Sequence, residues 1–344
     1  VNQVEALRAM APLTIESTRS GLVESVHRVS VAVVDATGRL VASSGDPGLV
    51  TFWRSAAKPF QALPLVLDGA ADRWGFGPQE LALACASHSS EPVHRERVEA
   101  MLRACGCQEE QLACGPHPPI SAAVAEEAAR GGVKLTPKWS NCSGKHTGML
   151  ALARHHGWPT EGYARAGHPV QERLLQEVSR WTGLPRDEVL LGVDGCTAVC
   201  FALPLGAMAR AYALLGCSPE AAPKRLREAM WAHPELVAGT GRLCTELMTA
   251  CRGSVLAKVG AEGVYSAALP GLGMGVTLKV EDGDGRCSPP ALLAVLRQVV
   301  ARLGPQVGLT LPLEQLSHHV EPVLRNTRGE AIGSLRATGA LEFH

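Results

Sequence analysis

The sequence predicts an α+β fold: one antiparallel sheet assembled from both ends of the chain, with a mainly helical segment inserted between them. Three observations carry this expectation. Residues 24–45 hold two β-branched runs on either side of Asp35-Ala-Thr-Gly38, which is a hairpin signal. From Ser55 the character changes, and proline starts and glycine stops punctuate helix-like stretches to about residue 250. Strand-like runs then return from Val255. The chain is read as a single domain over residues 1–344, with a sheet sub-domain built from 1–54 plus 251–344 and a helical sub-domain over 55–250. That length can bury a sizeable core.

Pro78 is placed in the first turn of a helix running to about Cys85, and Ser90 caps the next, whose apolar side includes Val98, Met101 and Leu102. His168-Pro169 opens a helix that Gly183 stops, and Ser218-Pro219 opens another. Thr197 to Leu215 is apolar almost all round, which predicts a buried central helix rather than a membrane span. Val255–Lys258, Gly263–Ala268 and Gly275–Glu281 read as three strands, closed by Asp282-Gly-Asp-Gly285. Ser288-Pro-Pro caps a helix to about Leu303, with Gly304 as its stop, and Glu321–Arg336 predicts a last hairpin turning near Asn326–Gly329.

The chain balances 33 basic against 33 acidic residues, so nothing in its charge calls for nucleic acid or a membrane surface; a small neutral or zwitterionic ligand fits better. No run has the length of a membrane span and no leader pattern opens the sequence, so the expectation is a cytoplasmic protein. Eleven cysteines at irregular spacing point to free thiols or a metal site rather than a disulfide framework. With aromatics at only 4%, the core is expected to be aliphatic and helix packing to run through alanine.

Several motifs are excluded. There is no G-x-S-x-G. Gly144-Lys145-His146-Thr147 has Trp139 where a phosphate loop needs glycine, and Gly271-Leu-Gly-Met-Gly275 has Val276 where a dinucleotide fingerprint needs one. The histidine pairs 155–156 and 318–319 lack metalloprotease spacing, and Cys105, Cys107 and Cys114 read as free thiols.

The stretch with chemistry in it is Trp53-Arg54-Ser55-Ala56-Ala57-Lys58-Pro59. If Ser55 opens a helix, Lys58 lies one turn on and shares its face. A serine hydroxyl needs a base to become a nucleophile, and a lysine serves if burial or a second cation lowers its pKa. The same residues also read as a helix cap followed by a surface lysine. Pro59 removes one helical hydrogen bond and crowds the Ser55 carbonyl, so the first turn is expected to be distorted. Four more stretches carry reactive groups: Cys85-Ala-Ser-His-Ser-Ser-Glu91, which also reads as a capping box; Trp139-Ser-Asn-Cys142-Ser-Gly-Lys145-His146; Val193-Asp194-Gly-Cys196; and Ala257-Lys258-Val-Gly260 on a predicted strand.

Arg54-Ser-Ala-Ala-Lys-Pro-Phe-Gln-Ala-Leu-Pro64, Cys85–Glu91, Asn141-Cys-Ser-Gly-Lys-His-Thr-Gly-Met-Leu150, Asp194-Gly-Cys196 and Ala238-Gly-Thr-Gly-Arg242 together resemble, in the same order, the rhizobial-type (thermolabile) L-asparaginase family. The resemblance spans nearly the whole chain. It implies a fold like those of serine β-lactamases, penicillin-binding proteins and serine glutaminases, which agrees with the sheet built from both termini. It also implies two Ser-Lys pairs, Ser55 with Lys58 and Ser87 with Lys258. It implies zinc (Zn2+) held by Cys142, Lys145 and Cys196, with Asp194 on the substrate and Arg54, His88 and His146 beside it. The Ser-x-Asn of a β-lactamase has no mid-chain match, and Ser87 takes its place.

The resulting expectation is an amidohydrolase that converts L-asparagine to L-aspartate and ammonia. Ser55 attacks, Lys58 is its base, and Ser87 with Lys258 relays the proton; the reverse, with Ser87 attacking, stays open. Zinc positions substrate rather than activating water, and the resemblance suggests a homodimer. A serine glutaminase or β-lactam-reactive hydrolase on the same scaffold is the enzymatic alternative, and a zinc-holding binding or regulatory protein the non-enzymatic one.

Overall fold

The computed structural model describes residues 11–344; the part of the predicted sheet sub-domain before residue 11 lies outside them. In chain order the strands are β1 (Thr14–Arg19), β2 (Leu22–Asp35), β3 (Leu40–Ser44), β4 (Val50–Phe52), β5 (Leu190–Val193), β6 (Val199–Pro204), β7 (Leu256–Val259), β8 (Val264–Leu269), β9 (Met274–Val280), β10 (Val323–Arg325), β11 (Ala331–Thr338) and β12 (Glu342–Phe343). The principal helices are α1 (Lys58–Leu67), α2 (Pro78–Ala84), α3 (Pro92–Ala104), α4 (Ser143–His156), α5 (Pro169–Thr182), α6 (Leu205–Cys217), α7 (Ala221–Ala232) and α8 (Ser288–Leu303). They fall into two units: residues 11–51 with Leu203–Cys217 and Ala250–His344, and Phe52–Ala202 with Ser218–Thr249.

The first unit is the antiparallel sheet expected from the two ends of the chain. Its nine strands run β10-β11-β1-β2-β9-β8-β7, with β3 added to β2 and β12 to β3. The 14-residue β2 is the spine. Its first half pairs with β1, and its second half pairs with β3 and, in register Val31↔Leu278 and Val33↔Val276, with β9. Val29 and Val31 to Val34 are all buried, so both faces of that half are covered, which is why it reads as a continuous apolar run. Helices α6 and α8 both pack against β8 and β9. Gly275 shows how closely: a Cβ there would lie 1.9 Å from the Ala209 carbonyl oxygen of α6. The glycine run 271–275, which fails as a nucleotide fingerprint, therefore includes a glycine needed for backbone approach. The β1–β2 hairpin turns through Ser20 and Gly21, both at positive φ, as a two-residue loop requires. The strand-like run at 24–45 lies beyond this turn and gives no sign of it.

The second unit is helical, and its centre is α4. Every residue of α4 from Ser143 to Ala153 is buried, and α1, α2 and α3 pack against it. The sequence had placed the central helix at Thr197–Leu215. Val199–Pro204 instead forms β6, antiparallel to β5, and the helix begins at Leu205 and belongs to the sheet unit. An apolar run of that kind satisfies a buried strand and a buried helix equally, so its periodicity did not separate them. Two helix starts also differ. The N-cap of α3 is Glu91, not Ser90, whose hydroxyl donates to Trp139 O instead (2.6 Å); α7 begins at Ala221 after Glu220, past Ser218-Pro219. The helix opened by His168-Pro169 and stopped by Gly183 is α5, with the His168 ring accepting the Val170 N–H. No helix among the described residues is long and apolar enough to cross a membrane, and none of the eleven cysteines is in a disulfide.

Candidate active site

All the predicted site residues except Lys258 lie in the helical unit. Pro59 has the effect its chemistry implies. Residues Arg54–Ala57 form a 3-10 turn, Arg54 is held at φ 53°, and α-helical geometry begins only at Lys58 with Pro59 in its first turn. Lys58 points inward. Its side chain is 1% exposed, and Nζ donates to Ser87 Oγ at 2.9 Å, to Cys142 Sγ at 3.1 Å and to the Ala86 carbonyl. Three donors thus meet three acceptors. Ser55, half-buried on the preceding turn, is not among them; its carbonyl accepts the Lys58 N–H.

Ser87 sits just beyond α2, on a segment pinned along its backbone. Its N–H donates to Val237 O (3.0 Å), its carbonyl accepts from the Arg242 guanidinium, and His88 N–H donates to Asn141 O (3.1 Å). The His88 ring completes the clamp. Nδ1 accepts the Ser90 N–H (3.1 Å), so Nε2 carries the proton and donates to Ser143 Oγ (2.9 Å), which in turn donates to Lys138 O (3.1 Å). Full burial, with help from neighbouring His94 and Lys58, holds the His88 pKa well below the ordinary imidazole value. A neutral ring with both nitrogens engaged fastens the Ser87 segment to the start of α4.

The N-terminus of α4 brings in the thiols and the second amine. Gly144 makes this possible: a Cβ there would lie 2.3 Å from Leu83 O of α2, so only glycine lets the helix approach so closely. Lys145 Nζ is 3.0 Å from Cys196 Sγ. A hydrogen bond with Cys142, helped by Lys145 and His146 against the cost of burial, holds the Cys196 pKa down; the same hydrogen bond, and then burial, push Cys142 well above the thiol range. Burial opposes a charge on Lys145, yet Cys196, Cys142 and Asp194 together raise its pKa. Tyr163 OH accepts the Ala113 N–H (2.9 Å) and donates to His146 Nδ1 (2.7 Å); burial lowers the His146 pKa to about 4, and its Nε2 is buried without a hydrogen-bond partner. Two sulfurs, one favoured as thiolate, with an amine 3.0 Å away form a donor set that fits zinc once Lys145 gives up its proton.

Asp194 heads the Asp194–Thr197 turn and is gripped by Arg54 through Nε (3.1 Å) and Nη2 (2.8 Å). Thr197 is held at φ 72° and Ser90 at φ 61°. With Arg54, three non-glycine residues in the left-handed region adjoin Ser55, the Ser87 segment and Cys196. Such conformations cost on the order of 1–3 kcal/mol each and persist where the surroundings over-determine them. Lys258, on β7 of the sheet unit, is fully buried and donates to Val259 O (2.9 Å). The sequence reading missed Ser143, Arg242 and Tyr163 as positioning residues. The first two lie inside quoted motifs; Tyr163 had no local signal, because only the fold brings it to His146.

The site thus sets a buried lysine, hydrogen-bonded to Ser87, one turn from the half-buried Ser55. A family model described as L-asparaginase II matches residues 15–337; the chain belongs to that family and is an amidohydrolase. Comparison with curated proteins gives no match. Solved structures similar to this chain include Mglu (17% identity over 83% of this chain and 69% of that one, TM-score 0.37). A second is Mglu in its native form in 4.3 M NaCl (18% identity, 80% and 61% coverage, TM-score 0.36). A third is a β-lactamase from Mycobacterium bovis (12% identity, 80% and 94% coverage, TM-score 0.33). The chain spans 61% to 69% of the length of these two Mglu chains.

Proposed function

We propose that this chain hydrolyses the side-chain amide of L-asparagine to L-aspartate and ammonia by acyl transfer. That route needs a nucleophile, a base that later protonates the leaving ammonia, and donors for the oxyanion. The observation that carries the reading is the 2.9 Å hydrogen bond from Lys58 Nζ to Ser87 Oγ, one turn from Ser55. Ser55 is assigned as nucleophile because it is half-buried while Ser87 is only 4% exposed, and the attacking oxygen must meet substrate. Once the Lys58 ammonium has released a proton to solvent, the neutral amine takes the Ser55 proton as the acyl-serine bond forms. Lys58 with Ser87 returns it to the departing nitrogen as the amide bond breaks. Water, deprotonated in turn by Lys58, then cleaves the acyl-serine to release L-aspartate. The Arg54–Asp194 ion pair sets a cation and an anion side by side next to Ser55, an arrangement suited to an amino-acid zwitterion. The part assigned to Lys258, and the homodimer, rest on the family resemblance alone.

Zinc at Cys142, Lys145 and Cys196 belongs to the same proposal. Bound there it would hold and polarise a polar group of the substrate, while the acyl-transfer steps run through Ser55, Lys58 and Ser87. The 2.9 Å contact also favours a second reading in which Ser87 attacks. An electrophilic asparagine analogue followed by peptide mapping separates the two: the label is expected on Ser55, and a label on Ser87 exchanges the roles. Wild-type protein that releases no ammonia from asparagine would reject the function itself.

A further inference from the structure

His27, on β2 of the sheet unit, is 8% exposed although its strand neighbours at this end face solvent. Its Nδ1 lies 2.7 Å from Asp282 Oδ2. A neutral imidazole donates to a carboxylate through Nδ1–H, which leaves Nε2 as a lone pair, and Nε2 is buried with no hydrogen-bond partner. A buried acceptor without a donor costs free energy unless something absent from the protein's own groups engages it. One ring nitrogen of His27, a carboxylate oxygen of Asp284 and Cys287 Sγ all lie within 4.8 Å of one another. Asp284 caps the short turn Gly285–Cys287 that leads into α8, and Cys287 is fully buried.

We propose that His27, Asp284 and Cys287 form a zinc site carried wholly by the sheet unit, with the Asp282 carboxylate orienting the His27 ring from behind. Nitrogen, sulfur and oxygen donors are the zinc set, and a carboxylate behind a ligating histidine is the usual second partner. Bonds of about 2.0–2.3 Å in a tetrahedron place ligand atoms roughly 3.3–3.8 Å apart, so the three need close by only about an ångström, with water completing the shell. Arg286, its side chain 65% exposed, holds Asp284 (2.6 Å) and is the group that zinc displaces. The site clips the loop after β9 to β2, independently of the amide chemistry proposed above.

Cobalt(II) tests this, because a thiolate on cobalt absorbs in the near ultraviolet. Full-length protein carrying Cys142→Ser and Cys196→Ser, stripped of metal, is titrated with Co2+ and then with Zn2+ as competitor. One equivalent bound with the thiolate band is expected. Cys287→Ser should abolish the band, His27→Ala should weaken binding at least tenfold, and Asp282→Asn should weaken it about 10–100-fold. Arg286→Ala should tighten it, and Cys217→Ser should change nothing. If the double variant does not fold, the count in otherwise wild-type protein should drop by one cobalt per chain on Cys287→Ser. An unchanged band or count in Cys287→Ser, or in His27→Ala, overturns the site.

Discussion

At the scale of single residues the chemistry turns on Lys58. It is buried among Ala86 O, Ser87 Oγ and Cys142 Sγ, and a larger planar cation has no room there. Arginine also stays protonated at every accessible pH and cannot take a proton from serine. Lys58→Arg should therefore be as inactive as Lys58→Ala, losing on the order of 10²–10⁴-fold in kcat/KM for ammonia release. Retention of more than a few per cent would remove Lys58 as the base. His88 carries a different prediction. Burial lowers its folded-state pKa, so below about pH 6.5 the unfolded chain binds the extra proton and stability falls with falling pH. Glutamine can accept from Ser90 N–H and donate to Ser143 without titrating. The stability gap between wild type and His88→Gln, read from urea midpoints, should thus narrow between pH 7 and pH 5; a constant gap would mean His88 is not the buried neutral ring described.

Between elements, two glycines set the closest contacts. Gly144 lets α4 reach the end of α2, and α4 carries Cys142 and Lys145 at its start. Gly144→Ala must push that terminus off the Leu83 carbonyl, so zinc content and asparagine turnover should fall together, with a stability loss of about 1–3 kcal/mol. Gly275→Ala meets the α6 backbone in the sheet unit, at Ala209 O and Ala213 N. Neither atom is a flexible side-chain end, so the cost should reach the upper part of that range or beyond it. Denaturant midpoints for both variants check this. A shift below about 0.5 kcal/mol in either would mean the helix slides without cost.

For the whole molecule, the family establishes an amidohydrolase, and the open choice is which amide it takes. Asparagine and glutamine differ by one methylene, worth roughly 1–3 kcal/mol in a fitted pocket. Ammonia release should favour asparagine by about 10–200-fold in kcat/KM, and a chromogenic β-lactam run alongside should not be turned over. Preference for glutamine would move the chain to the glutaminase reading, and β-lactam hydrolysis to the third.

The sequence by itself determined the sheet built from the two ends, because the β-branched runs, Asp35-Ala-Thr-Gly38 and the Asn326–Gly329 turn are written within a few residues of each strand. It determined most helix limits in the same way, through Pro78, His168-Pro169, Gly183 and Gly304. The ordered motifs brought Ser55, Lys58, Ser87, Cys142, Lys145 and Cys196 into one hypothesis. Only the tertiary structure decided that Lys58 reaches Ser87 rather than its neighbour Ser55, that His88 is a fastening and that α6 belongs to the sheet. It alone placed His27 beside residues more than 250 positions away. The physical reason is range. Turn and capping preferences act over one or two turns of chain, whereas the direction of a buried side chain is settled by whichever distant groups pack around it.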